Sequence, residues 1–458
     1  MKRACSLHVL EIKKGDPSLC GNYRPISLLN LGYKIFASLI LGRLKEGGVD
    51  DLLWPTQYGF KKGRGTTDAL FLIRRKLERV WNAKDEKAWL LALDWAKAFD
   101  SIAPESLLSA LARFGLPAHF VEVIHAIYAK REFFVHECGV DSDMRSQKSG
   151  ISQGCPLSPY LFVILMTILL GDAREKLRQT YGVTLPQDCV NELLYADDTL
   201  LIGAHGPTIE KYLNCIVRVG EESGLLMNWG KVELMTVNCD GAITTPDGTV
   251  LTSKPSFVYL GSLISADGDV NSELARRLGA AQADFKKLHQ VWGHTRLSTY
   301  DKTLVYNTCV VSRLMYGLQA MWPKKSARDK IDAFHARCLR KILGIQPAYY
   351  SRVANVEVLR QAGAEKLSSL LLEQQLHFFG KLARMPASCA VRELVFDSGF
   401  AQMQPQYERR RGRPKLEWTT EIFKVVRSID YNGDGFADCV SNETRWRAVV
   451  RKHCRRQA

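Results

Sequence analysis

Two adjacent carboxylates, Asp197 and Asp198, stand in the run Tyr195-Ala196-Asp197-Asp198 between two apolar stretches, Leu193-Leu194 and residues 199–202. Such a run reads as a β-hairpin with the acids at its tip. Acidic side chains are disfavoured in strands, and neighbouring like charges repel. A divalent cation removes that penalty. On this run alone, a plain Asp-rich turn is the alternative. A third acid, Asp94, ends the apolar run 88–93 and is followed by Trp95-Ala96-Lys97-Ala98-Phe99-Asp100. By itself Asp94 reads as a helix N-cap. Taken with the hairpin, it reads as an acid at a strand end, within reach of the other two. Three carboxylates converging from two strands make an oxygen-rich site for two hard cations such as Mg²⁺. Two metals about 3.5–4 Å apart can activate a primer 3′-hydroxyl and stabilise the leaving pyrophosphate.

Those acids need a sheet to carry them. Up to about Ile264 the chain alternates strand-like runs (88–93, 192–194, 200–202, 232–237) with helix-like runs (31–43, 66–81, 105–113, 118–130, 159–169, 208–223). This pattern predicts an α+β domain around one central sheet. From Asn271 the pattern turns helical. Leu274, Leu278, Ala281, Phe285 and Leu288 recur at helical spacing, with Asn271 or Ser272 as N-cap candidates. Further helices are expected at 299–321, 327–343 and 364–382, with an irregular basic tail after Pro386. The 327–343 segment sets Ile331, Phe334, Leu339 and Ile342 against Arg328, Lys330, Arg337, Arg340 and Lys341. Its basic side suits a nucleic-acid backbone, or is simply a solvated face.

A chain of 458 residues is long enough for two or three domains. Hydrophobic residues make up 46% and charged residues 24%, which excludes a disordered chain. The net charge of +15 favours a polyanionic partner, either nucleic acid or an anionic membrane surface. The twelve cysteines form no C-x-x-C pair and no zinc-spaced cluster, so free thiols in a reducing compartment are expected. The first ten residues lack the apolar core of a signal peptide. The most apolar stretch, 160–170, falls short of the ~20 residues a membrane span needs.

Seven blocks in order resemble the reverse transcriptase region of non-LTR (LINE-like) retrotransposons. They begin with Asn22-Tyr23-Arg24-Pro25-Ile26-Ser27-Leu28-Leu29, then Gln57-Tyr58-Gly59-Phe60 with Gly63-Arg64-Gly65-Thr66-Thr67-Asp68. The third runs from Leu93-Asp94 to Ala98-Phe99-Asp100. The fourth is Gly150-Ile151-Ser152-Gln153-Gly154-Cys155-Pro156-Leu157-Ser158-Pro159, and the fifth is 195–198. Gly224-Leu225 with Asn228 and Lys231 is the sixth, and Tyr259-Leu260-Gly261 the seventh. Leu314-Met315-Tyr316-Gly317 is similar to the family's thumb.

The resemblance implies an α+β right-hand polymerase of fingers, palm and thumb, copying RNA into DNA. Fingers and palm would occupy 1–268, a helical thumb-like domain 269–386 and a basic tail 387–458. It implies Asp94 and Asp197 as ligands of two Mg²⁺ ions, for which Mn²⁺ can substitute, with Asp198 assisting. Phe99 would lie under the sugar and exclude a 2′-hydroxyl. Gln153 and Gly154 would border the incoming nucleotide and template, and Arg24 and Arg64 would contact triphosphate or template. Lys231 would stand near the pyrophosphate. The partners implied are an RNA template, a DNA primer and dNTPs, with no membrane, inside the cell in the nucleus or cytoplasm; oligomeric state is open. The resemblance starts close to Met1 and includes no endonuclease. The expectation is therefore a fragment, a degraded element or a domesticated domain, unable by itself to nick a target. The alternative function is a catalytically silent nucleic-acid-binding remnant of the same fold, whose expected mark, loss of the acids, is not met.

Two tail motifs are weaker. Arg409-Arg410-Arg411-Gly412-Arg413-Pro414-Lys415 contains the core of an AT-hook, which could enter an A·T-rich minor groove. The preferred reading is a basic linker ahead of a short helix at 416–426. Residues 430–438 imitate the start of a calcium loop, but the twelfth position is Ser441 rather than Glu, so a polar turn is expected.

Overall fold

In a computed structural model the described residues are all but 1–3, 13–15, 17, 20–21, 138, 187–190, 398, 405–406, 413–414, 432–434 and 458. They divide into two units. One comprises Met1–Thr66 and Lys87–Lys254, the other Thr67–Glu86 and Pro255–Ala458.

The first unit is built on a four-stranded antiparallel sheet in the order Glu233–Val237, Ala88–Leu93, Asp198–Gly203, Glu192–Tyr195. The run Ala-Trp-Leu-Leu-Ala-Leu is apolar throughout because this strand is flanked on both edges and covered on both faces. Trp89, Leu91 and Leu93 join Leu201 and Leu234 in one core with the helices Ser158–Tyr181 and Gly206–Glu222. Leu90, Leu200 and Met235, which alternate with them, are buried on the other face. A second sheet pairs Ala4–Ile12 antiparallel with Tyr23–Leu28 and parallel with Arg131–Glu137.

The hairpin is locked to both helices by one buried acid. Glu192, 1% exposed, accepts two hydrogen bonds from Arg174 (2.8 and 2.6 Å) and one from the Tyr212 hydroxyl (2.6 Å). Arg174 and Tyr212 stand on the two different helices, so this charge is paired and fully bonded where it is most costly. The helix expected over 159–169 runs on to Tyr181 and ends at Gly182 in a left-handed cap (φ 64°). The apolar run stops earlier, but Ala173 and Leu177 continue the buried stripe at helical spacing.

The second unit is helical, with main helices at Val270–Lys287, Lys325–Leu343 and Leu367–Ala383. Asp269, rather than Asn271 or Ser272, caps the first of these, accepting from Asn271 N–H at 3.0 Å and from the Ser272 hydroxyl at 3.0 Å. The helix expected over 299–321 is broken into Thr299–Tyr306, a π-helical turn and Ser312–Met315. It stops there because the chain bends to left-handed Gly317 (φ 75°).

After Pro386 the described residues are helical at Trp418–Arg427, which matches the short helix expected at 416–426, and also at Phe436–Ser441 and Glu443–Gln457, where an irregular segment was expected. The tail's aromatics explain the order. Trp418 and Trp446 are fully buried, and their indole N–H groups donate to Gln319 O (3.0 Å) and Leu376 O (2.8 Å). In the Arg-rich run, Arg410 donates to Ala83 O at 2.7 Å and Arg409 pairs with Glu417 at 3.4 Å. Arg413 and Pro414 lie outside the described residues, as do Asn432, Gly433 and Asp434 of the calcium-like loop. Among the described residues, no helix is long and apolar enough to cross a membrane.

Candidate active site

Register brings the acids together. Leu93 pairs with Thr199, so Asp94, the next residue, reaches the point where Asp198 begins its strand. Tyr195 pairs with Asp198, closing a two-residue turn of Ala196 and Asp197. Ala196 is left-handed (φ 59°), a conformation a non-glycine residue holds only when its surroundings impose it.

The surroundings are Gln57 and Gly59. Gln57, 1% exposed, accepts from both Gly59 N–H (2.8 Å) and Ala196 N–H (3.0 Å) through one amide oxygen. The backbone of this segment also bonds the hairpin, with Tyr58 N–H to Leu194 O at 2.8 Å and Leu194 N–H to Thr56 O at 3.0 Å. A Cβ at Gly59 would lie 2.4 Å from Ala196 N. Sequence reasoning placed both residues in a family block but gave them no role; a buried amide beneath a turn has no periodic signature.

Asp94 is held by the segment following Leu226–Met227. Asn228 donates its side-chain amide to Asp94 Oδ2 (2.8 Å) and its backbone N–H to Asp94 O (2.8 Å). Lys231 Nζ sits 3.1 Å from Asp94 Oδ2 and 3.3 Å from Oδ1. Enclosure by the surrounding chain, together with the charges of Asp197 and Asp94, pushes the Asp198 carboxyl up to about 6 against the pull of Lys231. The residue keeps solvent access, so this enclosure is that of a cleft wall rather than full burial.

The other expected residues gather on the same unit, except where side chains are not described. The Phe99 ring stacks on Phe162 with centroids 4.7 Å apart and planes at 16°. Gln153 donates to Asp100 Oδ1 at 2.8 Å, and its carbonyl accepts from Ser27 N–H at 2.7 Å. Gly154 is left-handed (φ 115°), and a Cβ there would meet Ser27 O at 2.6 Å. Arg131, which sequence reasoning did not single out, binds this loop through Gly150 O (2.6 Å) and Ser152 Oγ (3.3 Å). Arg64 lies over the Tyr58 ring at 5.7 Å. The backbone of Arg24 is paired opposite Glu11, and its side chain lies outside the described residues.

Among the described residues, no three His, Cys, Asp or Glu side chains form a ready-made metal cluster. The donor chemistry nevertheless fits a hard divalent cation. Carboxylate oxygens are offered, enclosure followed by the charges of Asp197 and Asp94 raises the Asp198 carboxyl, and Asp94 already holds one cation, the Lys231 ammonium. Acids so arranged on a sheet edge suit metal-assisted transfer of a phosphoryl group.

Residues 12–264 match the family model described as reverse transcriptase (RNA-dependent DNA polymerase). The chain belongs to this family. Its α+β fold is that of the right-hand polymerases, a class that uses divalent metal and a nucleic-acid template. It is 28% identical over 383 residues to the transposon TX1 uncharacterized 149 kDa protein of Xenopus laevis, covering 82% of this chain and 28% of that one. It is 26% identical over 342 residues to a probable RNA-directed DNA polymerase from transposon BS of Drosophila melanogaster, covering 70% and 36%. The chain thus spans about a third or less of these two relatives. Among solved structures, a telomerase from Candida tropicalis aligns at TM-score 0.45 and 16% identity, covering 85% of this chain and 64% of that one.

Proposed function

We propose that this chain is an RNA-directed DNA polymerase of a non-LTR retrotransposon, transferring nucleotides from dNTPs to the 3′-hydroxyl of a DNA primer on an RNA template. The observation that carries this reading is the strand register that sets Asp94 at a strand end beside the hairpin tip of Asp197 and Asp198, where the charges of the first two add to enclosure in raising the Asp198 carboxyl. In this reading Asp94 and Asp197 hold two Mg²⁺ ions and Asp198 assists. Bound there, Mg²⁺ (or Mn²⁺) supplies Lewis acidity to the attacking hydroxyl and charge neutralisation to the leaving pyrophosphate. Lys231 and Asn228 hold Asp94 in place, and Lys231 faces the pyrophosphate. Phe99, backed by Phe162, forms a wall beneath the sugar. Gln153 and Gly154 border the nucleotide, and Arg24 and Arg64 contact triphosphate or template. Fingers and palm functions fall to 1–268 and thumb function to 269–386, with 387–458 beyond it. A nucleic-acid template puts this work in the nucleus or cytoplasm.

Extension of a DNA primer on an RNA template with dNTPs and Mg²⁺ tests the proposal. Asn keeps the size of Asp but removes its charge. Asp94→Asn and Asp197→Asn should each lower extension at least ~10³-fold, and the double variant should lose no more, because groups acting as one unit are not additive. Asp198→Asn should be severe but leaky. Primer–template binding should survive in all of them. A wild-type rate in either of the first two variants overturns the assignment.

A further inference from the structure

The second unit, which does not contain the three carboxylates, holds a cleft of about 900 Å³. It opens among the helix Thr66–Asn82, the turn at Asp267, the start of the helix Lys325–Leu343 and the chain at Lys415. A cleft of this order accommodates a nucleotide-sized ligand.

Its chemistry is lopsided once internal pairs are set aside. Each acid on its walls already accepts a hydrogen bond, Glu78 and Glu421 from cations and Asp267 and Asp269 from neutral groups that leave their charge in place. Glu78 accepts from Arg75 at 2.5 Å, Asp267 from Asp269 N–H at 2.9 Å, and Glu421 from Lys424 at 2.6 Å. Asp269 is spent on its helix cap. The exposed Lys324 and Lys325 form no ion pair among the described residues. They stand at the N-terminus of a 19-residue helix that has no side-chain cap and no acid in its first turn. Such an end presents unpaired N–H groups and a positive dipole to an anion.

Two further features point the same way. Arg74 and Arg75, 7% and 5% exposed, line the cleft; their terminal nitrogens donate to Ser262 Oγ, Leu263 O, Glu78 and Ala320 O, and each keeps one buried Nε–H without an acceptor. Half-buried Trp81 and Trp322 also line it, each with a cation over its ring: Lys415 at 5.2 Å and Arg328 at 4.6 Å. An indole with a cation over one face has its other face as a stacking platform for a nucleobase.

We propose that this cleft binds a nucleotide unit, with the base on Trp81 or Trp322 and the phosphate on Lys324, Lys325 and the helix N-terminus. Two sources share that chemistry: one residue of a single strand, or a free nucleotide. The inference stands independently of the polymerase reading.

The test uses the full chain. A 5′-phosphorylated hexanucleotide carrying 5-iodouracil is irradiated with the protein, and the adducts are mapped by mass spectrometry. Adducts are expected at Trp81 or Trp322. Lys324→Glu/Lys325→Glu should cut their yield at least tenfold without shifting the melting temperature, because both side chains are exposed. The milder Lys324→Gln/Lys325→Gln pair should lower it in the same direction. Competition by a nucleoside 5′-monophosphate as strong as that by unlabelled hexanucleotide assigns the site to free nucleotide, and competition by the hexanucleotide alone assigns it to a strand. Adducts confined to other residues, or a yield indifferent to both pairs, overturn the proposal.

Discussion

A carboxylate pair can be aimed only if its turn is held, and two small features hold this one. Gly59 leaves room for Ala196 N, and Gln57 accepts from it. In Gly59→Ala the new methyl must displace the turn, and misplacement by about 1 Å can cost ~10²-fold in rate. Single-turnover extension should fall by about that much while affinity for primer–template is retained. Gln57→Leu leaves two buried N–H groups without an acceptor, at about 1–3 kcal/mol each, so its melting temperature should fall as well. An unchanged rate in both variants would show that the turn holds itself. Sugar choice is a second case. Phe99→Val should let ribonucleotides in, narrowing the preference for dNTP over rNTP while dNTP extension survives; an unchanged ratio would remove Phe99 from beneath the sugar. The acids themselves were legible in the sequence, because an Asp pair between apolar runs conflicts with strand propensity. Their supports were not. Asn228 and Arg131 act through single contacts made across the fold, and no local spacing announces such contacts.

At the scale of elements, the strand 88–93 was readable to the residue because it is buried on both faces and apolar at every position. Helix ends were less legible where a polar second half follows an apolar first, as at Tyr181. The helices of the second unit hide a further feature, a buried histidine. His335 lies 2% exposed, its Nδ1 2.9 Å from the Tyr306 hydroxyl and its ring stacked on that tyrosine. Burial pushes it down to about 4, from an ordinary value of 6.5. The unfolded chain therefore takes up a proton between these values that the folded chain refuses. Stability present above pH 6.5 is lost as the pH falls toward 4, by on the order of 3 kcal/mol at ~1.4 kcal/mol per unit. Urea midpoints measured across that range should decline in the wild type and decline less in His335→Gln, which keeps a polar partner for Tyr306. Parallel declines in the two proteins would mean that another group carries the loss.

For the whole molecule, the +15 charge matters through which cations remain free to meet phosphate. Sequence alone nominated Arg328, Lys330, Arg337, Arg340 and Lys341 as one basic side. The fold separates them. Arg340 is 6% exposed and donates to Val353 O (2.6 Å) and Asn355 Oδ1 (2.9 Å), holding the chain that follows its own helix. Arg277 is likewise buried, on Glu273 at 2.7 Å. Periodicity could not reveal this, since a buried arginine and a solvated one look alike until their acceptors are known. Arg337 and Lys341 remain exposed. Binding of primer–template should weaken steeply with salt, because each neutralised phosphate releases counterions. Arg337→Ala/Lys341→Ala should reduce the log–log salt slope by up to ~1.8, at ~0.9 per duplex phosphate contact. The loss should be equal for all sequences and leave the melting temperature unchanged. Arg340→Ala should instead lower the melting temperature, because it strips bonded acceptors inside the fold. Filter binding across a range of salt concentrations, with thermal melts alongside, distinguishes the two effects. A slope unmoved by the double variant would take those residues off the nucleic-acid path, and an affinity indifferent to salt would remove the backbone as the main partner of this charge.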